Sequence, residues 1–110
     1  LASTFCLSVC TGSALLARTG VLDGLKATSN KKSFEWVKQC RDAVKWQSHA
    51  RWVKDDKFYT ASGVAAGMDM ALGFISDHFG KELAQNITNE TKYNWQKSAK
   101  IDKFAKIYGY

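Results

Sequence analysis

Proline is absent from the 110 residues, histidine and methionine occur twice each, and cysteine occurs three times. With the missing proline goes a missing linker: no low-complexity stretch or internal repeat divides the chain, and its length is that of one compact unit. No apolar run reaches the ~20 residues that a bilayer span needs. The N-terminal apolar stretch is interrupted by Ser3, Thr4, Ser8, Thr11 and Ser13, so no membrane partner is expected. Cys6, Cys10 and Cys40 are odd in number and form no C-x-x-C pair, which argues against a disulfide framework. His49 and His78 are far apart in sequence and lack the spacing of zinc ligands.

The formal charge is +6, from 16 basic and 10 acidic residues. Part of the excess is at Lys92, Lys97, Lys100, Lys103 and Lys106. Spaced in this way it reads as a solvated face, because nucleic-acid binders carry a denser basic cluster interleaved with aromatics. The free cysteines fit a reducing, cytoplasmic compartment. Against that, Asn86-Ile87-Thr88 and Asn89-Glu90-Thr91 are adjoining sequons, which keep secretion open, with Asn86 and Asn89 as candidate glycosylation sites.

Hydrophobic patterning alternates between short strands and helices. Thr4 to Val9 reads as a buried strand, and Gly12 to Arg18 as a helix closed by Gly20. Lys26 to Ser29 is a short strand. Ser33 is placed to N-cap a helix whose Phe34, Val37 and Cys40 share a face. Ala43 to Trp46 and Ala50 to Val53 read as extended, with a hairpin turn over Lys54-Asp55-Asp56-Lys57. Val64 to Phe79 is a long, nearly all-apolar helix expected to be buried on more than one side, stopped by Gly80. Lys81 to Glu90 is a more polar helix. In the tail, residues 96–110, Ile101, Phe104, Ala105 and Tyr108 fall on one face, predicting a basic amphipathic helix that docks. The pattern as a whole is that of one α/β unit.

The chemistry concentrates at Cys10, where strand gives way to helix at a Cys-Thr-Gly. A cysteine lifted out of a sheet by such a turn, beside the free N–H groups of a helix start, is stabilised as thiolate and can act as a nucleophile. The same residue can equally be a buried packing sulfur, as strand-end cysteines often are. Periodicity alone leaves both readings open. Cys6 is mid-strand and Cys40 lies on an apolar helix face, so neither is placed for chemistry.

Two long segments, SVCTGSALLARTGVLDGLKAT from Ser8 and RWVKDDKFYTASGVAAGMDMAL from Arg51, resemble in order and spacing the C-terminal half of the ThiJ/PfpI superfamily. The branch in question holds isonitrile hydratases and the amidotransferase-like sensor domains of some transcription regulators. The likeness covers residues 1–95 and leaves 96–110 without a family counterpart. It implies a flavodoxin-like three-layer α/β sandwich with Cys10 as the elbow nucleophile and the Thr11 backbone N–H as an oxyanion donor. Gly12, Asn30, Ser62 and Gly63 would line the substrate pocket.

The chain also departs from the family. Thr11 stands where many relatives have a histidine, and Asn30 stands where many isonitrile-hydratase-like sequences have one, so neither a Cys-His dyad nor protease or glutaminase activity is expected. His49 and His78 read as structural. Asp69, in the apolar helix, must be paired if buried. In the family the first half supplies the acid that partners the cysteine and a glycine-rich loop, so an upstream segment or second chain is expected to complete the sheet.

The function so implied is a cysteine-dependent hydro-lyase or hydrolase acting on a small electrophilic substrate without metal or organic cofactor. A homodimer is expected. The alternative is a ligand-binding or redox-sensing module that uses the same pocket without turnover. The tail is too short for paired helix-turn-helix units, which argues against a transcription factor.

Overall fold

In a computed structural model of the chain, residues 4–110 are described; the first three residues, where the apolar N-terminal stretch starts, lie outside them. The elements run β1 (Cys6–Val9), α1 (Gly12–Arg18), β2 (Lys26–Ala27), α2 (Phe34–Cys40), β3 (Lys45–Trp46), β4 (Trp52–Asp55), β5 (Phe58–Ala61), α3 (Val64–Phe79), α4 (Lys81–Thr91) and α5 (Lys103–Ile107). A three-stranded sheet has the order β1-β5-β4, with β1 parallel and β4 antiparallel to β5, and β2 and β3 form a separate parallel pair. This is a mixed sheet covered by helices, as in flavodoxin-like α/β folds. No helix among the described residues is long and apolar enough to cross a membrane.

The central strand β5 shows why the chain builds a layered α/β unit. All four of its residues are buried, and successive side chains leave a strand on opposite faces. Phe58 enters one core with Ala17, Leu22, Ala27 and Val44. Tyr59 and Ala61 enter the other with Trp52, Ala66 and Met70. Thr60 shares the Phe58 face, where its Oγ1 accepts from the Thr28 backbone N–H at 2.9 Å and ties the segment after β2 to the sheet.

The hairpin turn is tighter than the sequence suggests. Asp55 pairs with Phe58, which leaves Asp56 and Lys57 as the turn, with Asp56 in the left-handed region at φ 53. Helix α3 is buried on one side through Ala66, Gly67, Asp69, Met70 and Leu72, while Val64, Met68 and Phe79 are exposed. Burial on several sides is therefore not found. Gly67 is where α3 crosses β1: a Cβ there would lie 3.0 and 3.1 Å from the two γ-methyls of Val9, tighter than the ~3.5–4.0 Å at which carbon atoms pack best. Although Val9 touches α3, Leu7 and Val9 remain 40% and 41% exposed, because β1 is an edge of its sheet.

The tail is not one docked amphipathic helix. Only Lys103–Ile107 is helical, and of the expected apolar face Ala105 alone is buried. Tail residues preceding α5 cross the open side of the hairpin instead, where the Ala99 carbonyl accepts from the backbone N–H of Arg51 at 2.6 Å and of Trp52 at 3.2 Å. Lys92, Lys97, Lys100, Lys103 and Lys106 are all exposed.

Candidate functional site

Cys10 directly follows β1 and, with Thr11, joins it to α1; it adopts φ 60. A left-handed conformation costs a non-glycine residue about 1–3 kcal/mol and persists only where its surroundings hold it there. Here they do: the Cys10 N–H donates to the Ala61 carbonyl at 2.9 Å, and its carbonyl accepts from Ser29 Oγ at 2.8 Å. The turn is thus clamped to the end of β5 on one side and to the segment after β2 on the other. Cys10 is half-buried and unpaired, as are Cys6 and Cys40.

The helix after this turn starts without a side-chain cap. Thr11 is exposed at the N-cap position and its side chain makes no capping bond. Gly12 packs near Ser8, where an added Cβ would lie at 3.6 Å from the Ser8 Cβ. Around the turn two buried hydroxyls, Ser8 Oγ and Ser13 Oγ, have no hydrogen-bond partner among the described residues. Buried polar groups are normally satisfied, so this pair makes the core beside Cys10 unusually polar.

The two residues that clamp Cys10 lead directly into a cleft of about 240 Å³. Asn30, next to Ser29, and Ser62 with Gly63, next to Ala61, line it, together with Lys31 and Lys32. The structure therefore brings Asn30, Ser62 and Gly63 together in one cleft, whereas Cys10, Thr11 and Gly12 are not among its lining residues and Cys10 adjoins it through its backbone bonds to Ala61 and Ser29. Asn30 also shapes the chain locally, because its Oδ1 accepts from the Ser33 N–H at 3.1 Å. That bond, and not one from the Ser33 side chain, precedes α2. Ser62 is buried and Gly63 is extended at the start of α3.

Three groups at this cleft are not picked out by sequence reasoning. Lys31 is buried, with its ammonium donating to Thr28 Oγ1 at 2.6 Å and to the Ala50 and Ser29 carbonyls at 2.8 and 3.3 Å. Burial pushes its pKa down to about 8, against the opposing pull of Asp102. Asp102 lies 3.8 Å away, and both side chains are 2% exposed. The third group is the aromatic pair Phe104 and Tyr108, which forms the cleft wall contributed by the tail. In the sequence nothing separates Lys31 from its neighbour Lys32. Asp102 ahead of a short apolar-basic run is a legible N-cap, and its Oδ1 accepts from the Phe104 N–H at 3.0 Å.

The remaining candidates are placed away from this cleft. Asp69 is fully buried and paired: Oδ2 accepts from Arg51 Nε and Nη2 at 2.8 and 2.6 Å, and Oδ1 accepts from the Gln96 N–H at 3.0 Å. His78 stacks among Phe5 and Phe74, and its Nε2 lies 3.2 Å from the Tyr59 hydroxyl. That hydroxyl also donates to Asp77 at 2.8 Å, and burial holds the phenol well above its usual pKa. His49 is exposed, with its carbonyl accepting from the Asp102 N–H. Asn86 and Asn89 are exposed on α4 rather than in a loop, and Asn89 Oδ1 accepts from Gln85 Nε2 at 3.0 Å.

Comparison with known proteins fits this geometry. The model of the DJ-1/PfpI family matches residues 2–77. The isonitrile hydratase of Pseudomonas putida is 31% identical over 86 residues, which are 78% of this chain and 36% of that protein. The HTH-type transcriptional regulator GbdR of Pseudomonas aeruginosa is 33% identical over 81 residues, 74% of this chain and 22% of that protein. A crystal structure of a ThiJ/PfpI family protein from Pseudomonas syringae superimposes with a TM-score of 0.71 at 29% identity, covering 84% of this chain and 37% of that one. The chain thus spans about a third or less of the curated relatives it matches. With the matched region running from before β1 through most of α3, and the fold shared with a solved relative, the chain belongs to the DJ-1/PfpI family.

Proposed function

We propose that this chain carries the cysteine-bearing part of a site that hydrates a small electrophilic substrate of the isonitrile type, completed by a further segment or chain. The observation that carries the reading is the clamped, left-handed Cys10 at the strand-to-helix turn, beside a cleft lined by Asn30, Ser62 and Gly63. The likeness to isonitrile hydratase supplies the substrate class.

In this reading the Cys10 thiolate adds to the terminal carbon of the isonitrile, and a proton delivered to that carbon gives a thioimidate. Water then adds across the carbon–nitrogen double bond. As the carbon–sulfur bond breaks, the N-substituted formamide leaves and the thiol is restored. The Thr11 backbone N–H is the donor assigned to developing charge, with Gly12 next to it as the assigned pocket residue. Proton transfer falls to an acid on the completing segment. That segment would also cover the apolar edge of β1, where Leu7 and Val9 are exposed. A homodimer is the proposed assembly, and nucleic acid and membrane are not proposed as partners.

A second reading is supported by the match to the regulator GbdR: the same cleft holds a small ligand without turnover, or Cys10 senses oxidants. Both readings are tested on the full-length protein that contains this chain. Iodoacetamide at mildly acidic pH is expected to label Cys10 ahead of Cys6 and Cys40. Conversion of an alkyl isonitrile to its formamide, abolished by Cys10→Ala, would establish turnover. Selective labelling without conversion favours the sensor, and equal slow labelling of all three cysteines rejects an activated Cys10.

A further inference from the structure

We infer that the C-terminal segment 96–110 builds the specificity wall of the cleft that adjoins Cys10, with Phe104 and Tyr108 selecting substrates that carry a compact apolar or aromatic substituent. The chemistry of the substrate rests on the proposed function, whereas the position of the wall rests on geometry alone.

The wall comes from outside the family match, which ends at residue 77. The tail is fastened along its length. Its start is held by the Gln96 N–H on the buried Asp69 carboxylate at 3.0 Å, and its middle by the Ala99 carbonyl on the Arg51 and Trp52 N–H groups. Next, the Asp102 N–H donates to the His49 carbonyl at 2.9 Å, and its carboxylate faces the buried Lys31 ammonium at 3.8 Å. At the end, the Tyr110 hydroxyl donates to Glu35 at 2.7 Å and its ring lies 5.1 Å from that of Phe34. A segment held at so many points is a fixed wall and not a loose strap.

Two large rings on this wall are left to solvent. Phe104 and Tyr108 are four residues apart, on one face of the short helix and the residue after it. They are 46% and 47% exposed, while Ala105 beside them is buried. Both line the cleft together with Asn30, Ser62 and Gly63. A cavity of about 150 Å³ accommodates benzene, so the 240 Å³ here admits a ring or a branched alkyl group with a small reactive head. Lys31 adds little recognition of its own, because its ammonium is already committed to Thr28, Ser29, Ala50 and Asp102. Lys32 also lines the cleft but is exposed, so the apolar surface left for the substituent is the ring pair.

The test uses two alkylating agents with the same reactive head, iodoacetamide and N-benzyl iodoacetamide, on the full-length protein, with modification at each cysteine followed by peptide mass spectrometry. The ratio of benzyl to parent rates at Cys10, referred to the ratio at Cys40, reads the wall and cancels reagent reactivity. The wild-type protein is expected to favour the benzyl reagent at Cys10 several-fold, and Phe104→Ala and Tyr108→Ala each to remove most of that preference. Phe104→Leu, which keeps an apolar wall, should retain part of it. An unchanged ratio in both alanine variants overturns the inference while leaving a reactive Cys10 intact. If Cys10 reacts with neither reagent, the reading of Cys10 as an activated thiolate fails. The wall is then judged with Ser62→Cys in a Cys10→Ser background: the same dependence on Phe104 and Tyr108 upholds it, and independence overturns it.

Discussion

Breaking the Asp69–Arg51 pair is the perturbation whose size the structure defines best. The Asp69 side chain has no solvent exposure and that of Arg51 has 12%. One carboxylate oxygen takes both guanidinium bonds and the other takes the Gln96 N–H. The phenol of Tyr93, held above its usual pKa by burial and the same carboxylate, completes the surroundings. Arg51→Met leaves a buried carboxylate with a single backbone donor, and Asp69→Leu leaves a buried guanidinium and an unpaired N–H. Removing one partner of such a pair costs about 3–5 kcal/mol, whereas replacing both by apolar groups costs far less. The double variant Arg51→Met/Asp69→Leu is therefore expected to be more stable than either single variant, with a coupling of at least ~2 kcal/mol. Urea unfolding of the four proteins measures it. Additive losses, or single losses below about 1 kcal/mol, would refute the assignment of Asp69 as the fastener of the tail.

Two further perturbations probe the cleft and the helix–sheet contact. Lys31 has a folded pKa of about 8 against an ordinary 10.5, so the folded state binds fewer protons between those values and its stability should rise with pH across that window. The shift corresponds to about 3 kcal/mol, or about 2 after allowance for residual solvent screening. Tyr59, Tyr93 and Tyr110 are shifted upward and oppose the rise only from about pH 10. Urea unfolding at pH 8 and pH 9.5 should show the rise in the wild type and not in Lys31→Met; a flat wild-type profile would mean that the ammonium is not buried. Gly67→Ala should destabilise by about 1–2 kcal/mol despite its better helix propensity, because the new methyl meets both Val9 γ-methyls. Val9→Ala should restore most of the loss, and an equal cost in both backgrounds would show that α3 and β1 do not meet there.

Elements that depend on local pattern are legible in the sequence. The helix expected over Gly12 to Arg18 and the one over Val64 to Phe79 are found with those bounds, because glycine punctuation and apolar spacing are local signals. So is the pairing of Asp69, since a carboxylate amid an apolar run has few other fates. What is not legible depends on long-range neighbours. The exposed side of α3 is as apolar as its buried side, and only the position of the sheet distinguishes Val64 from Ala66. Lys31 and Lys32 are identical by pattern, yet one is buried by a carboxylate 71 residues further on and the other is exposed. The tail misleads for the same reason. Its apolar spacing is helical, but the backbone donors of Arg51 and Trp52 offer Ala99 a partner that a helix would deny it.

The fastening of the tail has a consequence for how the cleft responds to damage. Gln96 and Asp102 are each tied to a buried charge, and Ala99 between them is tied to the hairpin backbone. When one tie is lost, the others hold the segment close, so its re-formation is an intramolecular closure of only a few residues and costs little entropy. The wall should then open locally and in order, from whichever end is released, before the sheet unfolds. Releasing Asp102 frees Phe104 and Tyr108 directly, since it also caps the helix that carries Phe104. Releasing Gln96 leaves that cap and the Lys31 contact standing. The two buried ion pairs therefore have separable effects: the Arg51–Asp69 pair governs global stability more than the cleft, and the Lys31–Asp102 pair governs the cleft wall first.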